Sequence, residues 1–205
     1  MKICVAIVTN RMIKPKTVLA LANMLATTKH EIVPVVATEG YTTAEGRNYC
    51  VVQAMKHDCT HILFIDDDMT FPADTIERLL AHGKELVGVN SMSRTLPLTT
   101  TVALLNGEGG HWPHDNVPPY WKMPKELFEV FSVGMGVALI DMKIFNLIDR
   151  PWFKFDVHES GKILIGEDAW LCLKAREQGI KVWCDPTIEI GHLGDYNYAN
   201  YEHSI

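Results

Sequence analysis

The run His61-Ile62-Leu63-Phe64-Ile65-Asp66-Asp67-Asp68 decides the reading of the fold. A short apolar stretch that stops abruptly at three acids reads as a buried strand of a parallel sheet, ending at the sheet's carboxyl edge. The same grammar repeats on both sides of it. Ile3–Val8 reads as a strand, Lys16–Thr27 as a helix, and Glu31–Ala37 as a second, Val-rich strand. In the first helix Val18, Leu19, Leu21, Ala22 and Leu25 supply a wide apolar face. Ala44–His57 is the next helix. A further helix runs from about Pro72 to His82, with Pro72 suited to the first helical position and Gly83 to the stop. Leu86–Val89 is a fourth strand. Strand and helix alternate throughout, so the class is α/β, with a mostly parallel sheet covered by helices on both faces.

The second half is less regular. Leu96–Leu105 reads as one strand or two short ones. Asn106–Lys125 is rich in Gly, Pro, His and aromatics and reads as a loop, long enough to expect a function for it. Phe128–Ile140 reads as a strand interrupted by Gly134-Met135-Gly136. Met142–Leu147 is a short helix, Pro151–Leu164 is irregular, and Glu167–Gln178 is a helix stopped by Gly179. Val182–Asp185 and Ile188–Ile190 are short strand candidates, followed by a polar, Tyr-rich tail.

The chain has 205 residues, 47% hydrophobic and 21% charged, the profile of one globular domain able to bury its own core. Its 19 Lys and Arg stand against 25 Asp and Glu, a net charge of −6, which excludes a broad nucleic-acid footprint. A phosphate-rich partner needs a local site or a metal ion. No apolar run approaches the ~20 residues of a membrane span, the longest being stretches such as Val133–Ile140. The N-terminus lacks a secretory pattern. Five cysteines without a CxxC pair are read as reduced and buried, which fits a reducing compartment and places the protein in the cytoplasm.

Three segments carry chemistry. Asp66-Asp67-Asp68 sits where ligands of open α/β sheets bind, beyond the strand ends. Adjacent like charges gain little from folding unless a cation offsets them. Hard oxygen donors favour Mg²⁺ or Mn²⁺, and Mg²⁺ usually takes one or two carboxylates plus substrate phosphates. The competing reading is a solvated turn with one Asp capping the following helix. Glu167-Asp168 opens a helix, where acids complement the dipole without further function. The functional reading makes Asp168 a general base, held ionised by that dipole. Gly191-His192-Leu193-Gly194 places a His between glycines after a short strand; beside carboxylates a neutral imidazole suits Mn²⁺, and otherwise it is structural.

Taken in order, these segments resemble the GT-A glycosyltransferases, especially the family 2-like members, from Ile3 to about Gly194. Val5-Ala6-Ile7-Val8-Thr9-Asn10 is similar to their first nucleotide-binding strand and loop, Phe64–Asp68 to their DXD motif, and Ser132–Ile140 to their acceptor-side segment. Glu167-Asp168 resembles their ED motif and His192 their late His. The resemblance implies a Rossmann-like three-layer GT-A sandwich. The chain is then a single catalytic domain over 1–205, with a nucleotide-sugar-binding half (1–94) and an acceptor-binding half (95–205). It implies a metal-dependent, inverting enzyme that moves a sugar from a UDP- or GDP-sugar to a hydroxyl of a glycan, protein or small molecule. Asp68, Asp66 and His192 would hold Mn²⁺ or Mg²⁺, with Asp66 also near the ribose and Asp67 in the variable middle position. Asp168, with Glu167, would deprotonate the acceptor.

Thr9, Asn10, Glu39, Arg47, Asp67 and Arg94 are expected to line the donor pocket. Arg47 could equally form a surface ion pair, and Arg94 a solvated loop charge. Trp112 and Trp121, in a loop that also holds His111, His114 and Tyr120, are candidates to stack on sugar or act as a lid, as Gly134, Met135 and Gly136 are for the acceptor side. The two histidines lack the partners of a zinc site. A nucleotidyltransferase is disfavoured because Thr9-Asn10-Arg11-Met12 contains no glycine for a phosphate loop. A sugar-nucleotide-binding module without turnover remains the non-enzymatic alternative.

Overall fold

A computed structural model describes residues 1–10, 12–38, 40–94, 99–105 and 123–194, together with the backbone of 197–199. Five strands run one way: β1 (Lys2–Val8), β2 (Glu31–Ala37), β3 (His61–Asp66), β5 (Leu86–Val89) and β10 (Val182–Asp185). They share a seven-stranded sheet, order β2-β1-β3-β7-β5-β10-β6, with the reversed strands β6 (Phe128–Val130) and β7 (Val137–Asp141). The alternation of side chains along each strand supplies two cores, one on each face. Cys4, Ala6, Ile62, Phe64, Leu86, Ala138 and Ile140 pack toward α2 (Thr43–Lys56) and α5 (Glu167–Glu177). Ile3, Val5, Ile7, Leu63, Ile65, Val87, Val137 and Leu139 pack toward α1 (Pro15–Thr27) and α3 (Thr75–Ala81). Pro34 sits in β2, at the sheet's edge, where its missing N–H leaves no ladder bond unmade.

Local chemistry sets the helix ends. Thr42 and Glu45 close a reciprocal capping box at the start of α2. Pro15 opens α1, and Gly83, in the left-handed conformation at φ +58°, ends α3. The α3 start differs from the reading at Pro72. The hydroxyl and amide of Thr75 both donate to the Pro72 carbonyl, so Pro72 lies in a turn before the helix.

Four other expectations need correction. The expected strand over 128–140 is two strands in separate parts of the sheet: β6 pairs with β10, while β7 inserts between β3 and β5. Ile188–Ile190 is buried but not a strand; the strand is β11 (Gly191–Leu193), drawn into register by β4 (Met69–Thr70). Within the irregular 151–164 stretch, β8 (Asp156–Val157) and β9 (Ile163–Ile165) form a small hairpin. Finally, α1 buries Thr17, Ala20 and Met24, leaving Val18, Leu19 and Leu25 at 50%, 62% and 44% exposure. Its apolar residues span more than one face, and a helix against a sheet can bury only one stripe. Two elements complete the chain, α4 (Ile144–Leu147) and β12 (Asn197–Ala199).

Candidate active site

The topology sends the chain after β1, β3 and β5 to one edge of the sheet. Reversed β7 begins at that same edge, and β11 folds against β4 immediately beyond β3. Two pockets open there. The larger, about 580 Å³, is lined by Asn10, Lys14, Arg47, Asp66, Asp67, Asp68, Arg94 and His192, among others. The smaller, about 200 Å³, is lined by Thr100, Thr101, Ser132, Gly166 and Asp168, among others.

The three consecutive acids have three different environments. Asp66 accepts from Arg47 Nη2 at 3.2 Å. Asp67 accepts from the buried Thr9 hydroxyl at 2.5 Å. Burial pushes its carboxyl up, more than the Thr9 bond lowers it, and the neighbouring carboxylates push the same way. Asp68 is buried and has a partner on each oxygen: Arg94 Nη1 is 2.8 Å from Oδ2 and His192 Nε2 is 3.3 Å from Oδ1. Burial alone would raise its pKa, but His192 and then Arg94 hold it below the usual range. For His192 burial works against the charged form, yet Asp68 and the Met92 carbonyl, 2.8 Å from Nδ1, raise its pKa. The Leu193 amide donates to the Asp68 carbonyl at 2.7 Å and fixes this pairing.

The second acid pair stands at the start of α5. Glu167 is buried, with its Oε1 3.4 Å from Arg47 Nε. Asp168 is half-buried, and its Oδ1 accepts from the Ala169 amide at 2.7 Å. Burial pushes both carboxyls up, against the lowering by Arg47. For Asp168 this reverses the expectation from the helix dipole, because losing water outweighs the helix start.

Arg47 joins the two acid groups. It is 4% exposed, pairs with Asp66 and Glu167, and lies over the rings of Phe64 and Phe153 at 5.8 and 5.9 Å. It is therefore not a surface ion pair. Its Nη1 has no hydrogen-bond partner among the described residues. Gly134 and Gly136 lie beside the two acid groups. A Cβ on Gly136 would lie 3.4 Å from Asp66 Oδ2, and one on Gly134 would lie 3.1 Å from Thr101 Oγ1 and 3.7 Å from Asp168 Oδ2. At both positions backbone without a side chain approaches an acid. Met135, between these glycines, turns into the core at 1% exposure.

The structure brings together Thr9, Arg47, Asp66, Asp67, Asp68, Arg94, Glu167, Asp168 and His192, with Asn10 exposed at the rim. Glu39, Trp112 and Trp121 lie outside the described residues. Among the described residues, no three His, Cys, Asp or Glu side chains form a metal cage. In the larger pocket Asp68 and His192 present adjacent donors, while Asp66 is turned to Arg47. Two protein donors fit a cation that completes its shell with phosphate and water. Sequence reasoning missed Lys14, although the following Pro15 marks a helix start at the sheet edge. It also missed Thr100, Thr101 and Ser132. Their pocket is assembled by the bridges Met92–Thr100 and Ala103–Ser132, which leave no local signature.

Neither protein-family models nor curated sequences match this chain. Solved structures do. A197 from STIV aligns with a TM-score of 0.63 at 16% identity, covering 99% of this chain and 96% of its own. GalNAc-T7, determined with UDP, GalNAc and Mn²⁺, aligns at 0.53 and 12%, covering 96% of this chain and 44% of that one. S. aureus TarS aligns at 0.51 and 16%, covering 97% and 36%. At these identities the likeness is one of fold, and the chain has the GT-A-like α/β fold of nucleotide-sugar transferases.

Proposed function

We propose that this protein is a metal-dependent, inverting glycosyltransferase that moves a sugar from a UDP- or GDP-sugar to an acceptor hydroxyl. The observation that carries the reading is the pair of pockets at one edge of the sheet, each with its acids: Asp66, Asp67 and Asp68 line the larger and Asp168 the smaller. The larger pocket has room for a nucleoside diphosphate. The smaller suits one hydroxylated group, with Thr100, Thr101 and Ser132 to orient it.

Asp68 and His192 would hold Mn²⁺ or Mg²⁺, which when bound neutralises charge gathering on the departing diphosphate. Asp168 takes the acceptor's proton as that oxygen bonds to the anomeric carbon and the bond to the diphosphate breaks. Attack from the face opposite the leaving group inverts the centre. A carboxylate whose pKa is raised by burial is a stronger proton acceptor than a solvated one. Glu167, paired with Arg47, orients the start of α5. Residues 1–94 would serve the donor and 95–205 the acceptor. The five cysteines are free and buried, which fits the reducing cytoplasm.

The test is a panel of nucleotide sugars, scored for Mn²⁺-dependent hydrolysis or transfer, on wild type and Asp68→Ala. Turnover that needs the metal and disappears in the variant is expected. Binding without turnover across the panel would make the protein a sugar-nucleotide-binding module. An unchanged signal in Asp68→Ala would remove the metal assignment.

A further inference from the structure

We propose that Arg94 is the resident counter-cation of Asp68. It exchanges that carboxylate for the donor's diphosphate when a divalent cation loads, so that cation and diphosphate bind as one cooperative unit. This deepens, and rests on, the metal-and-diphosphate reading above.

Without a metal, each oxygen of Asp68 has its own partner: the Arg94 guanidinium at Oδ2 and the His192 imidazole at Oδ1. The Arg94 bond at 2.8 Å is the tighter of the two contacts. A divalent ion beside Asp68 must come within about 2.0–2.6 Å of an oxygen. The guanidinium already at Oδ2 would then face it at close range, and two like charges on one carboxylate repel. One must leave.

Arg47 and Arg94, both in the pocket's lining, differ in their ability to do so. Arg47 is buried against two aromatic rings and pairs with two acids. Arg94 is 53% exposed and has one acid partner among the described contacts. His192, on β11, is tied through Nδ1 to the carbonyl of Met92, two residues before Arg94, so the imidazole braces the stretch of chain that carries the guanidinium.

A released Arg94 stays at the mouth of the same pocket. The neighbouring acids offer it little: Asp66 is paired with Arg47, and Asp67 accepts from Thr9. A diphosphate in the pocket matches the guanidinium's planar fork, which binds phosphate oxygens two at a time. The cation frees Arg94, and Arg94 then helps hold the diphosphate. By linkage each ligand must favour the other by the same factor.

The experiment is calorimetric titration of wild type, Arg94→Met and Arg94→Lys with Mn²⁺ alone, UDP alone, and UDP in saturating Mn²⁺. Arg94→Met should bind Mn²⁺ alone roughly two- to fivefold tighter, the size expected for losing a half-exposed ion pair. It should bind UDP in Mn²⁺ more weakly than wild type, so the mutual enhancement shrinks. Arg94→Lys keeps the charge without the fork. It should keep the wild-type weakness toward Mn²⁺ and lose part of the UDP affinity. Unchanged or weaker Mn²⁺ binding in Arg94→Met overturns the exchange, while wild-type binding of Mn²⁺ with UDP leaves the transferase reading standing. If wild type binds no Mn²⁺ with or without UDP, both fall. Arg94 is half in solvent, so both variants should fold, which melting curves would verify.

Discussion

The acids at the end of β3 and the acids at the start of α5 face one cleft but are held in opposite ways. Asp66, Asp67 and Asp68 form a row in which each carboxylate has a different partner: Arg47, Thr9, and Arg94 with His192. Glu167 and Asp168 share Arg47 as their main lowering charge, and burial raises both pKa values. The difference teaches a division of labour. On the proposed function, Asp68 is the cation's carboxylate and its partners hold its pKa low, whereas Asp168 is the base and burial holds its pKa high.

The sharpest way to separate the two groups is Asp168→Asn. It should cut transfer by about 10²–10⁴-fold, the usual range for losing a general base, with UDP affinity in Mn²⁺ unchanged. Equal loss of UDP binding in a titration would merge the two acid groups into one site.

Arg47→Met breaks the link between them. Removing one partner of a buried ion pair strands the others, so a loss of about 3–5 kcal/mol is expected in urea unfolding. Arg47→Met with Glu167→Gln should recover part of that loss. No recovery would show that Glu167 is not Arg47's energetic partner.

A smaller effect follows from pH. The folded-state pKa of Asp168 is raised above the ordinary ~3.9, so its ionisation costs stability as pH rises through the folded value. Asp168→Asn removes that cost. The variant should melt higher than wild type at pH 7, and the gap should close as pH falls toward about 4. A gap that stays constant with pH would show that burial does not raise this carboxyl.

Much of this cleft was legible because its parts are local. An apolar run ending in Asp66-Asp67-Asp68 announces a strand and its ligand-binding edge. Glu167-Asp168 before an apolar helix announces a helix start, and Gly83 and Gly179 mark helix ends. What stayed hidden depends on distant pairing. Nothing near Val137 says that β7 will run between β3 and β5. Nothing near Thr100 says that it will join Ser132 in a pocket. The burial of Arg47 depends on Phe64, Phe153 and Glu167 arriving around it, and its own neighbours in the helix do not announce that. For α1, composition showed that the helix is apolar but not which stripe would meet the sheet.

The insertion of β7 also has a consequence for how the chain is made. Synthesis proceeds from the N-terminus, so β3 and β5 leave the ribosome well before residues 137–141 that join them. Until then both strands present unpaired backbone at what will become the middle of the sheet, flanked by apolar side chains. Such edges invite pairing with other nascent chains. Closing them needs contacts across some seventy residues of chain, the kind of long-range step that slows folding. A ribosome-bound fragment ending before Val137 should therefore aggregate or recruit a chaperone, and one extending past Asp141 should begin to resist protease.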